Sequence, residues 1–155
     1  MAQGEFALVR ENMERAVGRG SVLLGDHDVY AMLVDAVVQQ RDIKALRTYA
    51  PLAEEAAARF DHKLYLGVAH RAWGVLHRLT GEYAEAETRL QQALEIFQKL
   101  ATRWQQGRTL FELGELANAQ DRRAAAHDYF SQSLAAFDDM GAVPDVNRAR
   151  AALLG

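Results

Sequence analysis

The sequence predicts an all-α protein built from antiparallel helix pairs stacked in a solenoid, and three observations carry that reading. Only two prolines interrupt 155 residues rich in alanine, leucine, glutamate and arginine, a composition that favours helix throughout. Apolar residues step by three and four, as in Leu76, Leu79, Tyr83, Ala86, Leu90, Ala93, Leu94 and Phe97, with one break around Thr80 and Gly81 that separates two helices. A spaced pattern also returns after 40 residues: Gly74 falls on Gly114, Ala86 on Ala126, Leu90 on Phe130, Leu94 on Leu134 and Phe97 on Phe137. Periods of that size mark helical solenoids.

Each element follows in order. A leading helix is expected over 2–18, with Phe6, Val9, Met13 and Val17 on one stripe and Glu5, Glu11, Glu14 and Arg15 off it. It is expected to cover a first, degenerate repeat over 28–60, split into helices at 28–40 and 42–60, with Val34 where later repeats have glycine and Pro51 inside its second helix. The stretch 29–38 carries Asp35 as its one charge. A helix apolar on all sides is buried on all sides, or lends part of its surface to a homo-oligomer. A repeat over 62–101 pairs 62–79 with 82–101, and Gly81 supplies the turn. A further repeat over 103–140 pairs 103–119 with 121–140. A last helix at 144–154 opens with Pro144 in its first turn. It buries Val146, Ala149 and Leu153 while Asp145, Asn147, Arg148 and Arg150 lie off that stripe. Arg148 corresponds to Arg108 and Leu153 to Leu113, so this helix is half a repeat, and its one-sidedness suits a cap. The whole of 1–155 reads as one domain.

Several chemistries are disfavoured. With no cysteine there is neither a disulfide framework nor a thiolate metal site. The charge of −3 comes from 21 acids and 18 bases, interspersed, with Arg122 and Arg123 the longest basic run; a nucleic-acid binder carries a basic face. No apolar run approaches a membrane span, and the N-terminus lacks the pattern of a secretory signal, so a cytoplasmic protein is expected. Residues 20–25 have the glycine spacing of a phosphate loop, but Asp26 and His27 stand where lysine and serine or threonine are needed. A helix-ending turn is expected there. His70 and His77 lie two helical turns apart, too far for one metal, and are expected to pack or to be partly exposed. Glu112 and Glu115 share a face read as solvated or partner-facing. The three serines, Ser21, Ser131 and Ser133, have no histidine–acid arrangement beside them. No enzyme and no cofactor are expected.

With these residues in view, the chain resembles the tetratricopeptide repeat family. Leu113 and Gly114 match the leucine–glycine of the family's first helix, and Trp73 with Gly74 matches it with tryptophan for leucine. Ala126 and Phe130 match the alanine–aromatic step of the second helix, and Ala86 with Leu90 follows it with leucine. Gly81, Glu82 and Tyr83 look like the family's inter-helix turn, and Ala93 with Leu94 like its closing pair. His70 and Leu110 replace the expected tryptophan, and His77 and Ala117 the expected tyrosine.

The resemblance implies a right-handed superhelix whose first helices line a concave groove that binds a peptide or protein segment. It brings to that groove Ala31, Asp35 and Val38; Arg71, Val75 and Arg78; Arg108, Phe111, Glu115 and Asn118; and Arg148. The lysine–asparagine clamp by which some members hold chaperone tails is missing, since its places carry Ala31, Asp35, Arg71, Val75, Phe111 and Glu115. The 40-residue period is longer than the family's usual repeat and is similar to arrays in bacterial regulatory proteins. The implied function is a non-catalytic protein-binding scaffold. Its rivals are a self-assembling module using 29–38 and a small-ligand sensor within a larger regulator.

Overall fold

The computed structural model describes residues 3–18 and 26–155. Among them eight helices follow one another: α1 (Gln3–Gly18), α2 (Asp26–Gln40), α3 (Ile43–Arg59), α4 (Lys63–Thr80), α5 (Tyr83–Lys99), α6 (Arg103–Ala119), α7 (Arg123–Asp138) and α8 (Val143–Leu154). The glycine-spaced stretch 20–25 lies outside the described residues. The 40-residue repeat proves to be two steps of 20. Residues with left-handed φ stand at Arg41, Asp61, Gly81, Ala101, Asp121 and Gly141, one after each helix from α2 to α7.

From Asp61 onward these turns share one hydrogen-bond pattern. The N–H following the left-handed residue returns to a carbonyl five residues back, as in His62 to Ala57, Glu82 to His77, Thr102 to Phe97, Arg122 to Ala117 and Ala142 to Phe137. This closes orphan carbonyls at the helix end and reverses the chain. Asp42 caps the next helix by accepting from the Ala45 N–H at 3.0 Å, and His62 does so through Nδ1 from the Tyr65 N–H at 3.4 Å. Pro51 sits on the exposed side of α3, which runs unbroken through it.

Glycines set the seams inside the later pairs. A Cβ on Gly74 would lie 2.5 Å from Leu90 Cγ, and one on Gly114 would lie 2.5 Å from Phe130 Cε1. Gly67 and Gly107 stand likewise under Phe97 and Phe137. A hole on the first helix thus takes a knob from the second. The first pair reverses the sizes: Val34 occupies the glycine position and Ala50 and Ala57 replace the knobs, all three buried. Between Val34 and Ala50 the volume of a glycine–leucine pair is conserved while its shape is exchanged, which a close-packed interior tolerates. In α8 the two glycine positions hold Asn147 and Leu154.

Helices α1, α3, α5 and α7 form an outer layer and α2, α4 and α6 an inner one, which α8 continues. The inner layer is the concave one, because its first and last members meet: Arg148 Nη1 on α8 donates to Gln39 Oε1 on α2 at 2.8 Å. The stretch 29–38 is consumed by this packing. Ala31, Leu33, Val34, Ala36, Val37 and Val38 are buried, and Met32, 52% exposed, is the large apolar residue it leaves outside. Met13 and Val17 of α1 pack onto the same cluster.

Candidate partner-binding face

The inner face is organised around two acids. Asp35, on α2, receives Arg71 Nη2 from α4 at 3.0 Å and Arg108 Nη1 from α6. Glu112, on α6, receives Arg41 Nη1 from the turn after α2 at 2.7 Å and Arg78 Nη2 from α4 at 3.1 Å, while Arg148 Nη2 lies 3.6 Å away. Arg78 also approaches Glu115 at 3.8 Å. Two carboxylates therefore bind together elements separated by as many as 73 residues of chain.

Burial makes these groups interdependent. The Glu112 side chain is 2% exposed. Desolvation pushes its pKa up, yet Arg41 and Arg78 outweigh that, with help from Arg148, and hold it at about 2. Asp35 follows the same logic: burial raises its pKa, and Arg108 and Arg71 bring it below the ordinary range. Burial and the neighbouring Arg108 pull Arg71 down to about 10, so it stays cationic at neutral pH. Its guanidinium lies 5.4 Å from the Phe97 ring centre, while that of Arg108 lies 4.6 Å from Trp104 and that of Arg148 3.9 Å from Phe111. Cations over aromatic faces give the layer both charge and dispersion contacts.

The residues expected in the groove differ in burial. Arg71 (1% exposed), Val75 (0%), Arg108 (4%) and Phe111 (5%) are buried, as are Ala31 and Val38. They belong to the packing between successive inner helices, because the chain supplies its own counter-ions there. Glu112, read as solvated or partner-facing, is instead the buried hub. Asp35, Arg78, Glu115 and Arg148 are half-buried and converge on the same layer. Asn118 is exposed but stands apart, in a hollow of about 310 Å³ between the end of α6, α7 and the end of α8. His70 lies between Glu54 and Arg89, and His77 stacks on Trp73 and bonds Glu82 at 2.6 Å.

Beside this layer a cleft of about 450 Å³ opens between the two ends of the stack. Phe6 from α1, Asp35 and Gln39 from α2, Trp104 and Arg108 from α6, and Pro144, Asp145 and Arg148 from α8 line it. Trp104 is 37% exposed, and its Nε1 donates to Asp145 at 3.2 Å. Sequence reasoning passed over Arg41, Gln39 and Trp104. A signal for Glu112 existed: its repeat equivalents are Ala72 and Ala152, and an acid in an alanine slot needs buried cations. Among the described residues no group of three or more His, Asp or Glu could hold a metal ion. No helix there is long and apolar enough to cross a membrane.

The family model for the tetratricopeptide repeat matches residues 65–139. That span takes in α5, α6, nearly all of α4 and all of α7. Comparison with curated proteins returns no match to the chain. Repeats of this family generally mediate protein–protein interaction. Glycine seams, 20-residue helix-and-turn steps and the matched span agree: residues 65–139 belong to the tetratricopeptide repeat family, their repeats carried by α4–α5 and α6–α7.

Proposed function

We propose that this chain is a non-catalytic scaffold holding a segment of a partner protein in the cleft between its terminal helices. The supporting observation is that cleft: an exposed indole, a phenylalanine, a proline and two guanidiniums line about 450 Å³. Aromatic and arginine side chains are the anchors that dominate interface energetics. The 40-residue period further supports placing the scaffold among bacterial regulators.

The test is site-specific photocrosslinking in host lysate. Benzoylphenylalanine replaces Trp104 in one variant and Gln92, exposed on the outer helix α5, in another. A charge reversal at Arg71 is a poor probe, because it would leave Asp35 facing a buried like charge. The expected outcome is one protein crosslinked from 104 and not from 92. Crosslinks from 92 alone would move the interface to the convex face. Recovery of the chain itself alone would favour self-assembly. The cleft's size also suits a small ligand, so an absence of protein crosslinks, with one metabolite raising the melting temperature, would favour a sensor instead.

A further inference from the structure

Carboxylates and guanidiniums on the inner face are unequally held. Glu112 is engaged at hydrogen-bond distance by Arg41 and Arg78, and Asp35 by Arg71 and Arg108. Asp145, lining the cleft, accepts from Trp104. Arg148 is left with a neutral partner, Gln39, at 2.8 Å, and with Glu112 at 3.6 Å, an ion-pair separation too long for a hydrogen bond. Its side chain is 34% exposed and lines the cleft. Burial, followed by the nearby cations Arg41 and Arg108, lowers its pKa, while Glu112 and Asp145 act to raise it.

A guanidinium is built to bind a planar carboxylate with two parallel hydrogen bonds. Five arginines converge here on Asp35, Glu112, Glu115 and Asp145, in a chain whose net charge is −3. The inner face thus carries one guanidinium more than carboxylates, while the cleft's own lining sets Arg108 and Arg148 beside Asp35 and Asp145. Beside Arg148 the wall is apolar: Trp104, Phe6 and Pro144. Resting on the scaffold reading, we propose that Arg148 takes the carboxylate of a glutamate or aspartate in the partner segment, whose neighbouring bulky apolar side chain lies against Trp104. The acid meets the fork of Arg148 where Gln39 now supplies a single neutral acceptor.

The probe is a short fluorescein-labelled peptide alternating glutamate with leucine, read by fluorescence polarisation against its glutamine–leucine counterpart. The acidic peptide is expected to bind at least about tenfold more tightly, with affinity falling as salt screens the contact. Arg148→Gln should weaken it by about tenfold or more, and Arg148→Lys should restore part of the loss. Arg150→Gln, on the exposed side of α8, should leave affinity unchanged. Circular dichroism checks that each variant is folded, and Trp104→Leu provides an independent weakening if Arg148→Gln is not. Equal binding of the neutral peptide, or wild-type affinity in Arg148→Gln, would overturn the assignment. So would competition by free glutamate or inorganic phosphate as strong as by the peptide, which would mark a small-anion site. Failure of the acidic peptide alongside a partner crosslinked from position 104 would remove the carboxylate assignment and leave the scaffold reading standing.

Discussion

Ala101 shows how a single residue carries a repeat. It stands with φ of 53° where the equivalent turn after α4 has Gly81 at 84°. The left-handed region costs an L-residue about 1–2 kcal/mol because Cβ crowds the following carbonyl. Asp61 and Asp121, at equivalent places, tolerate it better than alanine does. Ala101→Gly is therefore expected to stabilise the chain by about 1 kcal/mol, raising Tm by roughly 2–4 °C in differential scanning calorimetry. Gly81→Ala should cost about as much, and for conformational reasons alone, since a Cβ there meets nothing within 4 Å. A neutral Ala101→Gly would mean that the 97–102 turn is held by something other than backbone preference.

Between paired helices the governing quantity is fit. A Cβ on Gly74 would overlap Leu90 Cγ, with the Ala86 carbonyl 3.2 Å away on the same helix. Neither Leu90, fully buried, nor the backbone of α5 has room to retreat. Gly74→Ala is expected to destabilise by about 2 kcal/mol through overpacking, measured by urea denaturation. Combined with Leu90→Ala, the total should fall short of the sum of the two single changes by about 1 kcal/mol or more, because the smaller partner admits the methyl group. The reversed first pair, Val34 against Ala50, already carries that solution. Strict additivity would show that the seam does not set the distance between α4 and α5.

Across the whole molecule the two inner acids bind the stack into its curve, and that makes the curve acid-sensitive. The folded pKa of Glu112, about 2, lies below its ordinary value of 4.5. Its contribution is therefore fully present above about pH 4.5 and is lost as the pH falls toward 2. Integrated over that window it amounts to about 3 kcal/mol. Asp35, also lowered, acts in the same direction. Small-angle scattering between pH 5 and pH 2, as an order-of-magnitude range for carboxylate titration, is expected to show the radius of gyration rising before helicity falls. In Glu112→Gln the dependence should flatten, and stability at neutral pH should drop by about 3–5 kcal/mol, because cations are left buried without their counter-charge. Expansion coincident with loss of helix would assign the acid transition to global unfolding.

The parts legible in advance were those encoded locally. Helix positions follow from apolar spacing over a few turns. The glycine seams follow from the 40-residue repetition, because each hole and its knob lie 16 to 30 residues apart, as with Gly74 to Leu90 and Gly67 to Phe97. The non-glycine turn residues, Arg41, Asp61, Ala101 and Asp121, left no glycine to mark them. Illegible were the partners of the inner charges. Arg71, Arg78, Arg108 and Arg148 read as a row available to a ligand, since a period places side chains on a face without saying what crosses it. Asp35 reaches Arg108 over 73 residues, Arg41 reaches Glu112 over 71, and Arg148 reaches Gln39 over 109. Such pairs exist only once several repeats have stacked and curved. The rotation between neighbouring pairs is small, and its sum over the stack, rather than any one segment, decides which charges neutralise each other and which stay exposed.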